Sequence, residues 1–142
     1  MFRFLFIFLF LISYQSKAQF DVYHSVYFDV DKYDIKSDEM NKLVKFVQSV
    51  DTSRVISINI YGFCDDRGKD DYNYILSENR AIIIKETLIK NNIQKKIFVK
   101  IEGKGRVLLE SDTIKNIDEV RSKNRRVNIL VKMSRFPKVF NW

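Results

Sequence analysis

The segment that decides the fold is residues 62–81, which read GFCDDRGKDDYNYILSENRA. Gly62, Asp65 and Gly68 are spaced three apart in what reads as a turn after a strand, and a helix follows the turn. Arg80 lies on that helix, fifteen residues after Asp65. The spacing therefore predicts a strand–turn–helix unit that can bring one carboxylate and one guanidinium together where the turn joins the helix.

Upstream of this segment, the sequence predicts a strand and a helix. Aromatic and β-branched residues from Val22 to Phe28 indicate the strand, and a polar bend follows at 32–36. Ser37 stands where a helix cap is expected, and the acidic Asp38 and Glu39 suit the positive end of the helix dipole. The helix then has an apolar stripe at i, i+3, i+4 and i+7, formed by Met40, Leu43, Val44 and Val47.

The remaining elements are predicted from alternation and helical periodicity. Val55 to Tyr61 alternates, which predicts a half-buried strand that ends at Gly62. Its proposed inner face is Ile56, Ile58 and Ile60. A helix is expected from about Tyr72 to Asn91, with its apolar row at Ala81, Ile84 and Leu88. A third strand is marked by Ile97, Val99 and Ile101 and stopped by Gly103 and Gly105. A short helix from Ile114 to Val120 and a last strand through Val127, Ile129 and Val131 complete the series.

This order of strand, helix, strand, helix, strand, strand is typical of the α+β class. It predicts a two-layer sandwich in which helices cover one face of a mixed four-stranded sheet. The strands alternate instead of being apolar throughout, as expected when only one face of a sheet is buried. A purely parallel, doubly wound sheet fits that alternation less well.

Residues 1–18 are expected to be a secretory signal peptide. Arg3 precedes an apolar run from Phe4 to Ile12, and Ser16 and Ala18 are small residues three positions and one position before a cut. The run is about half of the ~20 apolar residues that span a bilayer, so an uncleaved anchor is the less favoured alternative. We therefore expect residues 19–134 to form the domain and 135–142 a tail. The expected location is the periplasm or cell envelope, with association to the outer membrane as one option.

The charge of the chain favours anionic surfaces. The formal net charge is +7, and loss of Arg3 and Lys17 with the signal peptide leaves 23 basic against 18 acidic residues, a net of +5. Such an excess suits cell-wall polymer or lipid headgroups. Nucleic acid is a poor partner for an exported protein, so none is expected.

Enzymatic and metal chemistry find little support in the sequence. Cys64 is the only cysteine and His24 the only histidine. A Cys–His nucleophile requires the two side chains within hydrogen-bond reach, and they are distant in sequence. A metal site would need further ligands. We expect no enzyme activity, no cofactor and no metal. Cys64 is interpreted as a small buried hydrophobe at a strand end, with a reactive thiol or an intermolecular link as alternatives.

Asp65 and Arg80 are the candidate ligand-binding pair. Arginine can bind a carboxylate through two parallel hydrogen bonds, and aspartate can accept from an ammonium. Backbone N–H groups at a helix start add donors for an anion, while Gly62 and Gly68 are expected to shape a tight loop that a ligand can approach closely. A ligand carrying both an ammonium and a carboxylate would suit this pair. The alternative is that the two side chains pair with each other or face solvent.

The spacing Gly-x-x-Asp-x-x-Gly-x-x-x-Tyr-Asn-x-x-Leu-Ser-x-x-Arg-Ala resembles the signature of the OmpA-like peptidoglycan-binding domain. The matching positions are Gly62, Asp65, Gly68, Tyr72, Asn73, Leu76, Ser77, Arg80 and Ala81. Phe28-Asp29 and the segment 124–127, Asn-Arg-Arg-Val, also resemble the family, so the similarity covers about residues 22–132.

This resemblance implies non-covalent binding of peptidoglycan through the diaminopimelate residue of its stem peptide. By position, Asp65 would take the ammonium of the ligand and Arg80 its carboxylate. Asn73 and Leu76 would line the pocket, partly through backbone groups, and Arg125 would close it from the last strand.

Two features leave a second function open. The family usually has His-Thr before the aspartate, where this chain has Phe63-Cys64, and the loss of that polar pair is expected to weaken or reorient binding. The aromatic residues of the tail are expected either to cover the core or to dock an envelope protein partner; they are Phe136, Phe140 and Trp142. The alternative function is a structural or protein-interaction module of the same fold that has lost ligand binding.

Overall fold

The computed structural model describes residues 18–110 and 115–137, which contain four strands and three α-helices. The strands are β1 (Gln19–Tyr27), β2 (Val55–Cys64), β3 (Phe98–Arg106) and β4 (Arg126–Ser134). The helices are α1 (Ser37–Ser49), α2 (Asp70–Lys90) and α3 (Ile117–Asn124). The predicted signal peptide up to residue 17 and the tail beyond residue 137 lie outside the described residues.

The four strands form one mixed sheet in the order β1-β4-β2-β3. β4 pairs antiparallel with both β1 and β2, while β3 pairs parallel with β2. β1 and β2 therefore run in the same direction, with β4 inserted between them. In consequence the carboxyl ends of β1 and β2 meet the amino end of β4 at one end of the sheet.

Helices α1 and α2 pack on one face of this sheet, so the predicted α+β two-layer sandwich is confirmed. The buried strand residues include Val26, Ile58, Ile60, Val127, Ile129 and Val131, and α2 adds Ala81, Ile84 and Leu88. Each fully buried aliphatic side chain of this size contributes roughly 1.5–3 kcal/mol. On α1, Phe46 stacks on His24 of β1 with 4.6 Å between ring centroids. The core thereby fixes both helices relative to the end of the sheet described above.

Two strands run further than predicted, and glycine explains both differences. β2 continues through Gly62 to Cys64, and β3 continues through Gly103 and Gly105 to Arg106. Gly62 is therefore a strand residue and not the loop-shaping glycine that was expected. A Cβ at Gly62 would lie 1.9 Å from the carbonyl oxygen of Ser77 on α2. The missing side chain lets α2 lie directly against the strand, whereas a sequence pattern treats glycine as a strand breaker.

The start of α1 also differs from the prediction. Lys36 occupies the cap position without a side-chain cap bond, so Ser37 is the first helical residue and not the cap. Asp38 and Glu39 lie in the first turn as predicted. Glu39 is buried, and its carboxylate accepts a hydrogen bond from the backbone N–H of Tyr27 at 2.9 Å. This acid therefore ties α1 to the end of β1 as well as favouring the helix dipole.

The remaining differences are smaller and concern which strand residues are buried, where the short helix lies and how the tail packs. An irregularity in β2 between Val55 and Ser57 changes the alternation, so Val55 and not Ile56 joins the core. Val99 is exposed. The short helix was predicted to start three residues and to end four residues too early, because α3 covers Ile117–Asn124. Of the tail aromatics, Phe136 is 68% exposed and does not cover the core, while residues 140 and 142 lie outside the described residues.

Within residues 18–110 and 115–137, no helix has both the length and the apolar character required to cross a membrane.

Candidate functional site

A cleft of about 240 Å³ opens at the end of the sheet where β1, β2 and β4 converge. Its walls come from the loop after β1, the loop between β2 and α2, the first turns of α2 and the residue before β4. The lining residues are Val30, Asp31, Cys64, Asp65, Arg67, Gly68, Tyr72, Asn73, Leu76, Arg80 and Arg125. The structure thus brings the five predicted ligand-binding residues and Gly68 around one cavity, and leaves Gly62 outside it.

The carboxylate of Asp65 is already bonded to two arginines. Arg67 donates from Nη2 to Oδ2 at 2.8 Å and from Nε to Oδ1 at 3.2 Å. Its backbone N–H also donates to Oδ1, at 3.2 Å, and Arg125 donates from Nη1 to Oδ2 at 3.0 Å. Burial alone would raise the pKa of Asp65, but the hydrogen bonds from Arg67 and Arg125 outweigh it and lower the pKa to about 2. Asp65 is therefore ionised at neutral pH, and both of its oxygens have partners.

Arg80 does not pair with Asp65. Its side chain is 0% exposed and donates to three backbone carbonyl oxygens. Nε bonds the carbonyl of Lys32 at 2.8 Å, Nη1 that of Phe63 at 2.9 Å and Nη2 that of Asp29 at 2.9 Å. Arg80 therefore joins α2 to the loop after β1 and to the end of β2.

The rest of the Arg80 guanidinium forms the floor of the cleft. It lies over the ring of Phe28, 5.2 Å from the centroid, and Nη1 is 3.5 Å from Sγ of Cys64. Burial lowers the pKa of Arg80, and the surrounding carbonyl dipoles favour its charged form. Guanidinium has five N–H donors. Three are used by carbonyls and one points to the thiol, which leaves one without an acceptor among the described residues.

Asn73 and Gly68 determine the shape of the loop between β2 and α2. The Asn73 side chain donates from Nδ2 to the carbonyls of Arg67 at 2.8 Å and Lys69 at 2.9 Å. Gly68 has a φ of +85°, a conformation that residues with a Cβ adopt only with strain. Leu76 is buried and forms an apolar wall. The side-chain donors of Asn73 thus serve the loop, and only its remaining groups face the cavity.

The structure gives Arg67 and Asp66 contacts that the sequence analysis did not predict. The signal for Arg67 was present, because an aspartate commonly accepts from the backbone N–H two residues later, which places that residue beside its carboxylate. Asp66 does not face the cleft as a second anion. Arg121 of α3 bonds its two oxygens, from Nε at 2.8 Å and from Nη2 at 3.0 Å. The short helix α3 therefore anchors the loop that carries Asp65.

Cys64 is a free, buried cysteine at the end of β2, which agrees with the interpretation of a small buried residue. Its thiol donates to the carbonyl of Asn73, with 3.4 Å between sulfur and oxygen. Burial raises the pKa of the Cys64 thiol to about 11, so the reactive thiolate is scarce at neutral pH. Phe63, by contrast, points away from the cleft, with its ring 4.8 Å from the guanidinium of Arg126.

We expect Cys64 to resist alkylation in the folded protein. At pH 7.5, iodoacetamide should leave the native protein unmodified over a period in which guanidinium-unfolded protein is fully alkylated. The reason is the combination of a raised pKa and a buried sulfur. Intact-protein mass spectrometry measures both reactions. Equal rates in the two states would contradict the buried position of the thiol.

The charges around the cleft favour a ligand with at least one anionic group. Arg67, Arg80 and Arg125 face Asp31 and Asp65, an excess of one positive charge. Asp31 lies at the rim with a φ of +56°, and its charge raises the pKa of the neighbouring Tyr72 hydroxyl. In the part of the chain that the structure describes, no group of three or more His, Cys, Asp or Glu residues is arranged to hold a metal. The three arginines and two aspartates that line the cavity suit an ion-pairing site.

Comparison with known proteins gives a family match over most of the chain. The model of the OmpA family matches residues 27–125. This range ends at Arg125, one of the three arginines that line the cleft. The photosystem I P700 chlorophyll a apoprotein A2 of Gloeobacter violaceus is 31% identical over 119 residues, which are 80% of this chain and 13% of that protein. Outer membrane protein A of Bordetella avium is 29% identical over 113 residues, 77% of this chain and 55% of that protein. The chain thus spans about half or less of these curated relatives.

The fold agrees with that of a solved structure over most of both chains. The peptidoglycan-associated lipoprotein from Burkholderia pseudomallei matches with a TM-score of 0.61 and 27% identity, over 77% of this chain and 89% of that one.

Proposed function

Because the chain belongs to the OmpA family, we propose that it is a non-enzymatic module that binds peptidoglycan without covalent chemistry and so attaches to the cell wall. The ligand we propose for the cleft is the diaminopimelate residue of the stem peptide, whose free end carries an ammonium and a carboxylate. The observation that carries this proposal is an ionised, recessed Asp65 beside three arginines in one open cavity.

Each side chain of the cleft has a proposed role. Asp65 accepts from the ammonium. The carboxylate is bound by Arg125, whose Nε is fixed on the carbonyl of Phe28 at 3.1 Å, and by the remaining N–H of Arg80. Leu76 packs against the aliphatic part of the ligand, and Asn73 contributes backbone groups. These roles use the five residues predicted from the sequence. The carboxylate of the ligand, however, contacts two arginines, Arg125 and Arg80, instead of Arg80 alone.

Replacing Asp65 by asparagine should strongly weaken wall binding. The substitution preserves shape and removes the negative charge that receives the ammonium. A hydrogen bond to a charged group contributes about 1.5–3 kcal/mol, so affinity should fall by at least about tenfold. Co-sedimentation of the purified protein with isolated sacculi measures the effect. The matched control is Asp71→Asn, the same change at an exposed position in the first turn of α2, which should sediment like the unmodified protein.

The same assay identifies the ligand and can reject the proposal. Free meso-diaminopimelate should release the bound protein from sacculi, whereas 1,5-diaminopentane, which has two ammonium groups and no carboxylate, should release it poorly. Equal retention of the unmodified protein and Asp65→Asn would reject the cleft as the binding site. No retention of the unmodified protein would reject wall binding.

A second candidate is a protein-interaction module that keeps the fold and has lost its ligand. Two observations favour it: both oxygens of Asp65 already have protein partners, and Phe136 of the tail is 68% exposed. An envelope protein partner would then dock on the tail aromatics. Retention by sacculi that depends on Asp65 separates the first candidate from this one.

The proposed location is the cell envelope, in the periplasm or at the outer membrane, after removal of residues 1–18. The geometry supports this, because both ends of the domain lie at the end of the sheet opposite the cleft. Gln19, the first residue after the proposed cut, pairs with Ser134. A tail attached there leaves the cleft free to face the wall.

A further inference from the structure

We propose that Arg67 sets the selectivity of the cleft: its guanidinium occupies the ammonium position on Asp65 until a ligand displaces it, and it then pairs with the carboxylate of that ligand. This inference rests on the proposed function and adds to it the class of ligand that the cleft rejects. Ligands with an ammonium and no nearby carboxylate would be excluded.

Arg67 contacts Asp65 as a ligand cation would. Its Nη2 and Nε reach the two different oxygens, at 2.8 and 3.2 Å. The mutual attraction raises the pKa of Arg67. An incoming ammonium needs the same lone pairs, so it cannot bind Asp65 while this ion pair is intact.

Arg67 is the partner of Asp65 that can leave. Its side chain is 46% exposed, whereas that of Arg125 is 13% exposed. Arg125 is also held by the carbonyl of Phe28 at 3.1 Å, while every hydrogen bond of the Arg67 side chain within the described residues goes to Asp65. Because the Arg67 side chain is exposed and has one set of partners, its contact with Asp65 exchanges more readily than that of Arg125. The backbone of Arg67 stays fixed, because its N–H bonds Asp65 and its carbonyl bonds Asn73.

The exchange gives an energetic basis for selection. A ligand with only an ammonium replaces one ion pair by another and leaves the Arg67 guanidinium without an anion. A ligand with an ammonium and an adjacent carboxylate replaces one ion pair by two, since Arg67 remains at the rim and finds the new carboxylate. Beyond the contacts of the carboxylate with Arg125 and Arg80, Arg67 therefore adds one charge-assisted contact that only the second ligand gains.

The test compares two peptides on three proteins by isothermal titration calorimetry. The peptides are L-Ala-γ-D-Glu-meso-diaminopimelate and the same tripeptide with lysine in the third position. The proteins are the unmodified chain, Arg67→Ala and the matched control Lys69→Ala, which removes the same charge from an exposed lysine of the same loop. We expect the lysine peptide to bind Arg67→Ala about fivefold more tightly than the unmodified protein. The preference for the diaminopimelate peptide should shrink accordingly, and Lys69→Ala should keep it.

The outcomes separate the two proposals. If the diaminopimelate peptide binds the unmodified protein and Arg67→Ala keeps the full preference, the role of Arg67 is wrong and the proposed function stands. If that peptide binds none of the three proteins, the proposed function is wrong and the role of Arg67 falls with it. An NMR titration gives a readout without ligand: the pKa of Asp65 should rise in Arg67→Ala, and an unchanged value would show that the pair does not form in solution.

Discussion

Replacing Arg80 by methionine is expected to lower the free energy of unfolding by about 3 kcal/mol or more. Methionine fills much of the same volume but has no N–H donor. The carbonyls of Lys32 and Phe63 would lose the donor that Arg80 provides in a site where Arg80 is 0% exposed. The carbonyl of Asp29 would lose one of two donors and keep the backbone N–H of Lys32 at 3.3 Å. A buried acceptor without a partner costs about 1–3 kcal/mol, and release of the buried charge offsets part of the sum.

Urea denaturation followed by circular dichroism measures this effect, with Arg67→Met as the matched control. Arg67 is 46% exposed and its side chain pairs only with Asp65 among the described residues, so its loss should change the stability by less than about 1 kcal/mol. Similar midpoints for the two variants would show that the bonds of Arg80 to the carbonyls contribute little to the fold.

This expectation changes how the binding site is tested. Loss of wall binding in an Arg80 variant would have two causes, a missing ligand donor and a displaced loop, and sedimentation cannot separate them. Asp65 is the better position, because asparagine keeps the volume and its main partner, Arg67, is exposed. Arg80, the arginine of the signature, therefore acts mainly by holding the walls of the cleft together. Its contact with the ligand is secondary.

Most of the sheet and the identity of the cleft residues were predictable from the sequence. Alternation located β4, whose residues Val127, Ile129 and Val131 are buried as predicted, and helical periodicity located α2 through Ala81, Ile84 and Leu88. Both patterns arise because one face of the strand or helix is buried. The spacing of apolar residues along the chain indicates that face without any knowledge of distant contacts. The family resemblance placed five polar and apolar side chains around one cavity.

What the sequence did not predict depends on contacts between distant segments. Nothing local to Arg80 indicates that its acceptors are carbonyls 17, 48 and 51 residues away. Gly62 and Gly103 were interpreted as breaks because glycine usually ends a strand, and the helix that requires them lies in another part of the chain. Arg67 is the exception, because its pairing with Asp65 is local, at a separation of two residues.

Replacing Gly62 by alanine is the second change with a large expected effect. The new Cβ would lie 1.9 Å from the carbonyl oxygen of Ser77 and 2.8 Å from its carbonyl carbon. Both are backbone atoms of a helix whose residue Ser77 is fully buried, so no side chain can rotate away and α2 must move off β2. Inserting a methyl group into a packed interior costs about 1–3 kcal/mol when side chains can adjust, and more when backbone must shift.

We therefore expect Gly62→Ala to lower the melting temperature by about 10 °C or more, measured by thermal unfolding followed by circular dichroism. Gly105→Ala is the matched control in the neighbouring strand β3, because a Cβ there meets its nearest atoms of Tyr74 at 3.8 Å. Its φ of +69° alone predicts a loss of about 1 kcal/mol. If Gly62→Ala melted within a few degrees of the unmodified protein, direct contact between the α2 backbone and β2 would be refuted. If it melted far below Gly105→Ala, that contact would account for the position of the signature glycine within a strand.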